Sequence, residues 1–380
     1  MTLLKNNNNL LPLSKEIKHV AVIGANAVDS VMLWGNYNGS PSSTVTVLEG
    51  IREKLPDAEI IYERGADLVD PWVRSSLYDS FSNLQQNSKG LYVEFFNNNQ
   101  FEGAPVATEV NSEGIRYNNS GGTALARGVN MDNTSTRVSG VFTAPYTGEV
   151  VISTRASDSY KLYIDEVEVM SQTGSEASVA SEHVFNATEG REYRVMLEHS
   201  QTGRRVNIDF TIFRKEMARF DVLTEQFRHV DAIIYVGGLS PQLEGEEMPV
   251  SAIGFKGGDR EKMELPDVQR RVLAALRATG KPVVLVLCSG SSLALEQDEK
   301  NYDALLAAWY GGQAAGTAVA DVLFGDYNPA GRLPVTFYKS TEQLDNALEE
   351  ADNPEHQGFQ NYNMAGRTYR YMEEEPLYPF

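Results

Sequence analysis

The chain has 380 residues, of which 42% are hydrophobic and 22% charged, and its formal net charge is −19. This length suffices for two or three domains with cores of their own, and the composition is typical of folded globular proteins. The negative charge argues against a nucleic acid partner, because phosphates would be repelled. No apolar run reaches the ~18 residues of a membrane-spanning helix, so no membrane partner is expected either. The single cysteine, Cys288, excludes an internal disulfide and a Cys-x-x-Cys metal site, and its apolar neighbours predict a buried side chain.

The first 85 residues predict one part of an α/β domain. A Val/Ile-rich run, His19–Gly24, leads into a loop rich in Asn, Gly and Ser, and the apolar spacing in Val47–Leu55 predicts a helix. A second apolar run at Glu59–Tyr62 predicts another strand. Such nearly continuous runs are typical of parallel sheets that are covered on both faces. The run that ends at Gly24 lacks the second and third glycines of the dinucleotide fingerprint, so no nucleotide cofactor is expected.

Residues 88–215 have a different pattern. Between about Gly90 and Phe213, short alternating segments are separated by turn residues, and helical periods are absent. This pattern predicts an all-β sandwich or barrel. An α/β pattern that stops, gives way to β-strands and then resumes indicates a domain inserted into a loop of another. The segments that predict strands are Val138–Pro145, Gly148–Thr154, Lys161–Asp165, Tyr193–Glu198 and Arg205–Phe210.

The α/β pattern resumes over residues 216–380. Pro266 stands where helix starts favour proline, and Gly280 stands where helix ends favour glycine. The segment Ala304–Tyr310 fits a strand or a helix equally well, and Glu342–Asn361 is expected to be a surface excursion. Helices are predicted at Met217–His229, Leu265–Leu276 and Gly311–Phe324, and strands at Asp231–Gly238, Pro282–Leu287 and Leu333–Tyr338.

Three carboxylates follow the strand that ends near Gly238: Glu244, Glu246 and Glu247. In open α/β sheets, ligands gather at the loops beyond the carboxyl ends of the strands. Mutual repulsion and partial burial raise the pKa of neighbouring carboxyls, and a general acid must still be protonated near neutral pH. The cluster therefore fits a catalytic carboxyl. It fits an acidic surface loop as well.

Several motifs on both sides of the insert resemble those of glycoside hydrolase family 3, of the β-glucosidase and β-xylosidase type. The resemblance implies that residues 1–85 and 216–380 form that family's C-terminal domain, a mostly parallel α/β-sandwich. It also implies a retaining exo-β-glycosidase that removes terminal β-D-glucosyl or xylosyl residues from a β-linked oligosaccharide or glycoside. The matching motifs are Leu3–Asn6, Leu10–Leu13, Val20–Gly24, Gly35–Gly39, Gly238–Ser240, Glu244–Glu246, Gly258–Arg260, Gly325–Phe337 and Gly366–Tyr371.

The resemblance also implies the roles of the site residues. Family members carry the acid/base as the glutamate of a Gly-Glu step that precedes an Asp-Arg pair, and Glu246 matches that step. Glu244 is the second candidate, because the gap to Asp259 is longer here than in the family pattern. Arg260 is expected to hold the loop by pairing with a carboxylate, with Asp259 in support. The family's nucleophilic aspartate lies on an N-terminal (β/α)₈ barrel, which this sequence does not include, so the chain alone is expected to be inactive and to need that barrel in cis or in trans.

The insert, residues 88–215, resembles a PA14 module through Gly90–Phe96 and Ser157–Asp165. PA14 modules are all-β, often bind sugar, and can form one wall of the substrate pocket in family 3 enzymes. Calcium-binding members carry adjacent aspartates where this chain has Ser157 and Asp158, so no metal is expected and Asp158 is a candidate for a turn cap. The resemblance favours a periplasmic or secreted location. The alternative is a non-catalytic carbohydrate-binding or scaffold protein.

Overall fold

The computed structural model describes residues 1–39, 41–112, 114–118, 122–176, 180–204, 206–245, 250, 252–256, 259–343, 372 and 374–379. The chain forms two compact units, one made of Met1–Val73 with Met217–Phe380 and the other of Arg74–Glu216. None of the helices in these described ranges is long and apolar enough to cross a membrane.

The strands and helices of the described residues are numbered in chain order. The strands are β1 Thr2–Asn6, β2 His19–Ile23, β3 Glu59–Glu63, β4 Trp72–Ser76, β5 Phe81–Asn83, β6 Ser88–Lys89, β7 Leu91–Phe96, β8 Ala107–Asn111, β9 Ile115–Asn118, β10 Thr134–Thr143, β11 Gly148–Ile164, β12 Val167–Glu176, β13 Ser181–Ala187, β14 Glu192–Gln201, β15 Asn207–Met217, β16 Ala232–Gly238, β17 Phe255–Lys256, β18 Asp259–Arg260, β19 Val283–Cys288 and β20 Ala304–Ala307. The α-helices are α1 Val47–Lys54, α2 Phe220–Gln226, α3 Asp267–Arg277 and α4 Ala315–Leu323. Short 3-10 helices lie at Asn7–Asn9, Ala25–Ala27, Met32–Trp34, Tyr78–Ser80 and Glu296–Asn301.

The first unit is built on a six-stranded sheet in the order β1-β20-β19-β16-β2-β3. Neighbours from β3 to β20 pair in parallel, and only the edge strand β1 runs antiparallel, against β20. The chain goes outward from β2 to β3, and then returns to lay β16, β19 and β20 on the other side of β2. The order therefore reverses between β2 and β16, and the crevice at such a reversal is where open α/β sheets bind ligands.

Both faces of this sheet are covered, which explains the nearly continuous apolar strands. Alternate residues of a strand point to opposite faces, so Ile234 of β16 belongs to one hydrophobic core and Ile233 to the other. Ile51 of α1 and Leu323 of α4 lie in the first core, whereas Leu276 of α3 lies in the second. The predicted mixed α/β fold, with a mostly parallel sheet between helical layers, is confirmed for this unit.

Two segments of the first unit differ from their predictions. The predicted strand at Leu333–Tyr338 is wrong, because in the described residues only Phe337 forms a single bridge, to Tyr378. A physical reason is that Thr2–Asn6, which carries no strong strand signal, pairs with β20 as β1 and occupies the sheet edge. The ambiguous segment Ala304–Tyr310 contains strand β20, and Cys288 is buried as predicted.

The second unit is a large antiparallel sheet that curls around its own aromatic core. Its main path runs β4-β15-β11-β14-β10-β5-β6. The segments Gly148–Thr154 and Lys161–Asp165, predicted as two strands, fall in the single strand β11, except for Asp165, which follows it. Its first half pairs with β13 and β15 and its second half with β12 and β14. The change of partners falls near Asp158, where the backbone has a φ of 61° and the register to β12 shifts.

Candidate active site

Loops from four parallel strands of the first unit meet at the carboxyl end of its sheet. Glu244 follows β16, Ser291 follows β19, Tyr310 follows β20 and Asn36 follows β2. Side chains from these loops and from Arg260 line a cavity of about 540 Å³. This is the edge at which the strand order reverses, so the position agrees with the sequence-based expectation for a ligand site.

Glu244 is the centre of a hydrogen-bond network in this cavity. Its carboxylate accepts from the backbone N–H of Gly290 at 2.7 Å and from the hydroxyls of Ser291 and Tyr310. A tight turn places Glu244 in the cavity, because its backbone N–H donates to the carbonyl of the buried Ser240 at 3.0 Å. Both carboxylate oxygens are thus engaged by donors that the ends of other strands hold in place, and this fixes the start of the acidic loop.

Tyr310 acts in this network as a neutral donor. Burial, followed by the negative charge of Glu244, raises the pKa of its phenol far above the usual value, so the hydroxyl keeps its proton. Trp309, the preceding residue, has a φ of 60°, which is uncommon for a bulky side chain and marks a sharp turn after β20. Backbone strain of this kind persists where the surroundings hold it, and here it accompanies a side chain that points at Glu244.

Arg260, on the short strand β18, reaches the same network from another side. Its Nη2 donates to the hydroxyl of Ser291 at 3.0 Å and to the carbonyl of Ser292 at 2.9 Å. Burial lowers the pKa of the guanidinium, and the charge of Glu244 opposes that shift. Arg260 makes no direct ion pair with a carboxylate within the described ranges. Among the described residues, Ser291 connects the two groups, since its hydroxyl accepts from Arg260 and donates to Glu244.

The structure brings only some of the expected site residues together. Glu244, Asp259 and Arg260 all line the cavity, with Asp259 exposed at its rim. Glu246, the expected acid/base, and Glu247 lie outside the described residues. The same holds for most of the Glu342–Asn361 segment and for the motif Gly366–Tyr371.

Sequence reasoning missed Gly290, Ser291 and Tyr310. A signal for the first two existed, because the run Ser289–Ser292 directly follows a strand that was predicted correctly. The rule that favours loops at the carboxyl ends of strands applies to it as much as to the acidic loop. Tyr310 could not be placed in the same way, because its segment fitted a helix as well as a strand.

Asp158 lies in the second unit, on strand β11. Its Oδ2 accepts from the backbone N–H of Thr202 at 2.9 Å and from the Thr202 hydroxyl at 3.3 Å. These contacts join β11 to the first residue after β14. Within the described residues, no group of three or more His, Cys, Asp or Glu side chains is placed to hold a metal ion.

Comparison with known proteins gives a family for the whole chain. Residues 1–380 match the model of the glycosyl hydrolase family 3 C-terminal domain. A xylan 1,4-beta-xylosidase of Xylanibacter ruminicola is 37% identical over 383 aligned residues, which cover 100% of this chain and 42% of that protein. A beta-glucosidase of Rhizobium radiobacter is 28% identical, with 99% of this chain and 46% of that protein covered.

A solved structure has the same fold. The beta-glucosidase of Kluyveromyces marxianus in complex with glucose superposes with a TM-score of 0.71 at 24% identity, covering 100% of this chain and 45% of that one. At this identity the likeness concerns the fold alone. The chain spans less than half the length of each of these three proteins.

Proposed function

Because the chain belongs to the glycosyl hydrolase family 3 C-terminal domain family, we propose that it supplies the acid/base loop of a retaining exo-β-glycosidase. The named relatives are a β-xylosidase and a β-glucosidase, so the proposed substrate is a terminal β-D-xylosyl or β-D-glucosyl residue of an oligosaccharide or glycoside. The observation that carries the proposal is the cavity at the carboxyl end of the sheet, into which a glutamate-bearing loop is fixed by Gly290, Ser291 and Tyr310.

A retaining glycosidase needs two carboxyl groups about 5 Å apart, one as nucleophile and one as acid/base. We propose that a (β/α)₈ barrel, in cis or in trans, supplies the nucleophile and this chain the other group. The greater length of the relatives leaves room for such a barrel. In the first step the acid protonates the glycosidic oxygen as the nucleophile attacks the anomeric carbon. In the second step the same group, now a base, takes a proton from the water that hydrolyses the glycosyl-enzyme.

We assign the acid/base role to Glu246 and an anchoring role to Glu244. Both oxygens of Glu244 accept hydrogen bonds from Gly290, Ser291 and Tyr310, an arrangement that suits a side chain that holds the loop. A general acid must instead present its proton to the leaving group. Glu246, two residues further along the loop, matches the Gly-Glu step of the family motif.

The test uses an enzyme that contains this chain together with the barrel. Glu246→Ala should slow alkyl glycosides, which are poor leaving groups, on the order of 10²-fold or more, and activated aryl glycosides far less, since only the former require protonation. Azide should restore part of the activity by attacking the glycosyl-enzyme without base assistance. Glu244→Ala is the comparison variant: because it loosens the loop without removing the acid/base, it should show a weaker dependence on the leaving group than Glu246→Ala. If Glu244→Ala alone showed the leaving-group dependence, the acid/base role would move to Glu244.

The chain without the barrel should hydrolyse aryl β-glucosides and β-xylosides at a negligible rate, because no glycosyl-enzyme can form without the nucleophile. Robust turnover by the purified chain would refute this division of labour. The alternative function is a non-catalytic carbohydrate-binding or scaffold protein. It would be favoured if the chain bound glycans tightly on an array while the combined enzyme stayed inactive.

For the second unit we propose a PA14-like module inserted into the first unit. Removal of residues 74–216 tests whether the first unit folds without it. In the first unit the N–H of Ala218 donates to the carbonyl of Pro71 at 2.7 Å, so the two ends that a linker must join lie side by side. Unfolding of the shortened protein should remain cooperative when followed by the fluorescence of its tryptophans, Trp34, Trp72 and Trp309. A broad, non-cooperative transition would count against an inserted module.

A further inference from the structure

We propose that Gln269 is a positioning residue for the acid/base loop, because its side-chain amide fixes the backbone of Gly238, from which that loop leaves the sheet. The role extends the proposed function to a residue that never reaches the cavity, and its catalytic consequence rests on that function. Gln269 lies near the start of α3 and is 1% exposed.

The amide of Gln269 uses all of its hydrogen-bonding capacity. Its Oε1 accepts from the N–H of Gly238 at 2.8 Å and from the hydroxyl of Tyr235 at 3.3 Å. Its Nε2 donates to the carbonyl of Gly238 at 2.6 Å and to the carbonyl of Leu68 at 2.8 Å. An amide has two acceptor lone pairs and two N–H donors, so all four are engaged. Two of the four bonds hold the N–H and the carbonyl of one residue, as a neighbouring strand would.

Gly238 needs this support because of its conformation. Its φ is +116°, and a Cβ at this position would lie 2.0 Å from the carbonyl oxygen of Cys288. No side chain fits there, and the chain turns away from the ladder at this residue. The next N–H, of Leu239, donates to the carbonyl of Cys288 at 2.7 Å. The side-chain amide of the fully buried Asn26 donates to the carbonyl of Leu239 at 3.0 Å.

A continuous series of contacts therefore runs from Gln269 to the cavity. Gly238 is held by the amide, Leu239 by Cys288 and Asn26, and the buried Ser240 accepts from the N–H of Glu244. Glu244 then meets its three donors at the ends of β19 and β20. If the amide were lost, the first link would loosen and the direction of the loop would no longer be fixed. A displacement of about 1 Å in a reacting group can cost on the order of 10²-fold in rate.

The test compares two variants of Gln269 with one control. Gln269→Met keeps the size of the side chain and removes all four hydrogen bonds, whereas Gln269→Glu keeps an acceptor for Gly238 and loses the donors. The control is Gln343→Met, because Gln343 is another largely buried glutamine of the same unit, with an amide that contacts Lys339, Glu374 and Glu375.

The first measurement is hydrogen exchange of the chain itself, followed by mass spectrometry. Gln269→Met should raise the exchange rate of peptides from residues 236–245 at least about tenfold relative to the control variant. In each variant, peptides of β19 should exchange only as fast as its global stability predicts. Gln269→Glu, the milder change, should give a smaller increase and serves if the methionine variant does not fold. Equal loss of protection in both regions would show a general structural role and overturn the proposal.

The second measurement is activity of the enzyme that includes the barrel. Gln269→Met should lower kcat for alkyl glycosides on the order of 10²-fold, with a much smaller loss for activated aryl glycosides and little change in KM. The control should keep the ratio of the two substrates. A uniform loss on both substrates would refute the positioning role. Failure of the proposed function would appear separately, as the absence of leaving-group dependence in Glu246→Ala, while the exchange result would still decide how Gln269 acts on the loop.

Discussion

His199 should make the stability of the second unit depend on pH. The ring is 1% exposed, and its Nε2 lies 2.6 Å from the carbonyl oxygen of Ser157. A carbonyl only accepts hydrogen bonds, so Nε2 carries the proton, and the buried Nδ1 has no partner among the described residues. Burial lowers the pKa of this histidine, while the Ser157 carbonyl and the charge of Asp158 oppose that shift. The folded unit therefore favours the neutral ring.

The direction of the pH dependence follows from proton uptake by His199 in the folded and unfolded states. An unfolded histidine titrates with a pKa of about 6.5, and the folded-state pKa of His199 is lower, so only the unfolded chain takes up this proton as the pH falls below that value. The stabilisation is fully present above pH 6.5 and is lost as the pH falls toward the folded-state pKa. The free energy of unfolding should drop by at most about 1.4 kcal/mol between pH 7.5 and 5.5 from this one group.

The assay needs a probe within residues 74–216, and the three native tryptophans, Trp34, Trp72 and Trp309, all lie outside that range. A Tyr163→Trp background in which these three are replaced by phenylalanine supplies the probe, and urea unfolding is followed by its fluorescence at the two pH values. His199→Gln can still donate to the carbonyl of Ser157 but does not titrate, whereas His183→Gln, on β13, is the matched control. The pH-dependent loss of stability should be smaller in His199→Gln than in the control, by up to about 1.4 kcal/mol. An equal loss in both variants would refute the assignment.

The remaining predictions concern the first unit. Burial raises the pKa of the Cys288 thiol to about 12, so a disulfide reagent at pH 8 should modify it only after unfolding, and rapid labelling of the native chain would contradict its burial. Lys54 lies 2.5 Å from Asp321 and 2.6 Å from Asp326, so Lys54→Met should lower the free energy of unfolding by about 1 kcal/mol in dilute buffer and by less in 1 M salt. A loss that did not depend on salt would point to packing instead. Thr46→Ala should cost about 1 kcal/mol by removing the capping box at the start of α1, Thr46→Ser should cost little, and equal costs would show that the methyl group matters more than the cap.

Burial on both faces is the reason why the central strands could be predicted from the sequence. The runs that became β2, β16 and β19 are apolar at successive positions, and the observed strands match the predictions to within one or two residues. The edge strand β3 was predicted from an apolar run as well, but the opposite edge strand, β1, carries no such signal. The segment Thr2–Asn6 forms β1 because it pairs with β20, which lies far away in the sequence. With that edge of the sheet occupied, Leu333–Tyr338 forms only the single bridge from Phe337 to Tyr378.

The site could be predicted only where one segment carried the chemistry. Three glutamates after a predicted strand pointed to the acidic loop, and Glu244 does line the cavity. Ser291 and Tyr310 meet Glu244 because parallel pairing brings the carboxyl ends of β16, β19 and β20 to one edge, a juxtaposition that the sequence does not contain. The role of Gln269 is still harder to predict, because nothing in the sequence distinguishes a glutamine near the start of a helix. Only the structure shows its contacts with Gly238.

The geometry of the site and the packing of the sheet depend on the same contacts at the strand reversal. Gly24 directly follows β2 and Gly238 is the last residue of β16, with φ values of +117° and +116°. A Cβ at Gly24 would lie 2.2 Å from the carbonyl oxygen of Val236, and one at Gly238 would lie 2.0 Å from that of Cys288. After β2 the chain therefore leaves the sheet across the backbone of β16, and after β16 it leaves across the backbone of β19. The loops that carry Asn36 and Glu244 thus start in fixed directions. A substitution at either glycine would have to separate two central strands, and it should therefore lower stability and displace the acidic loop together.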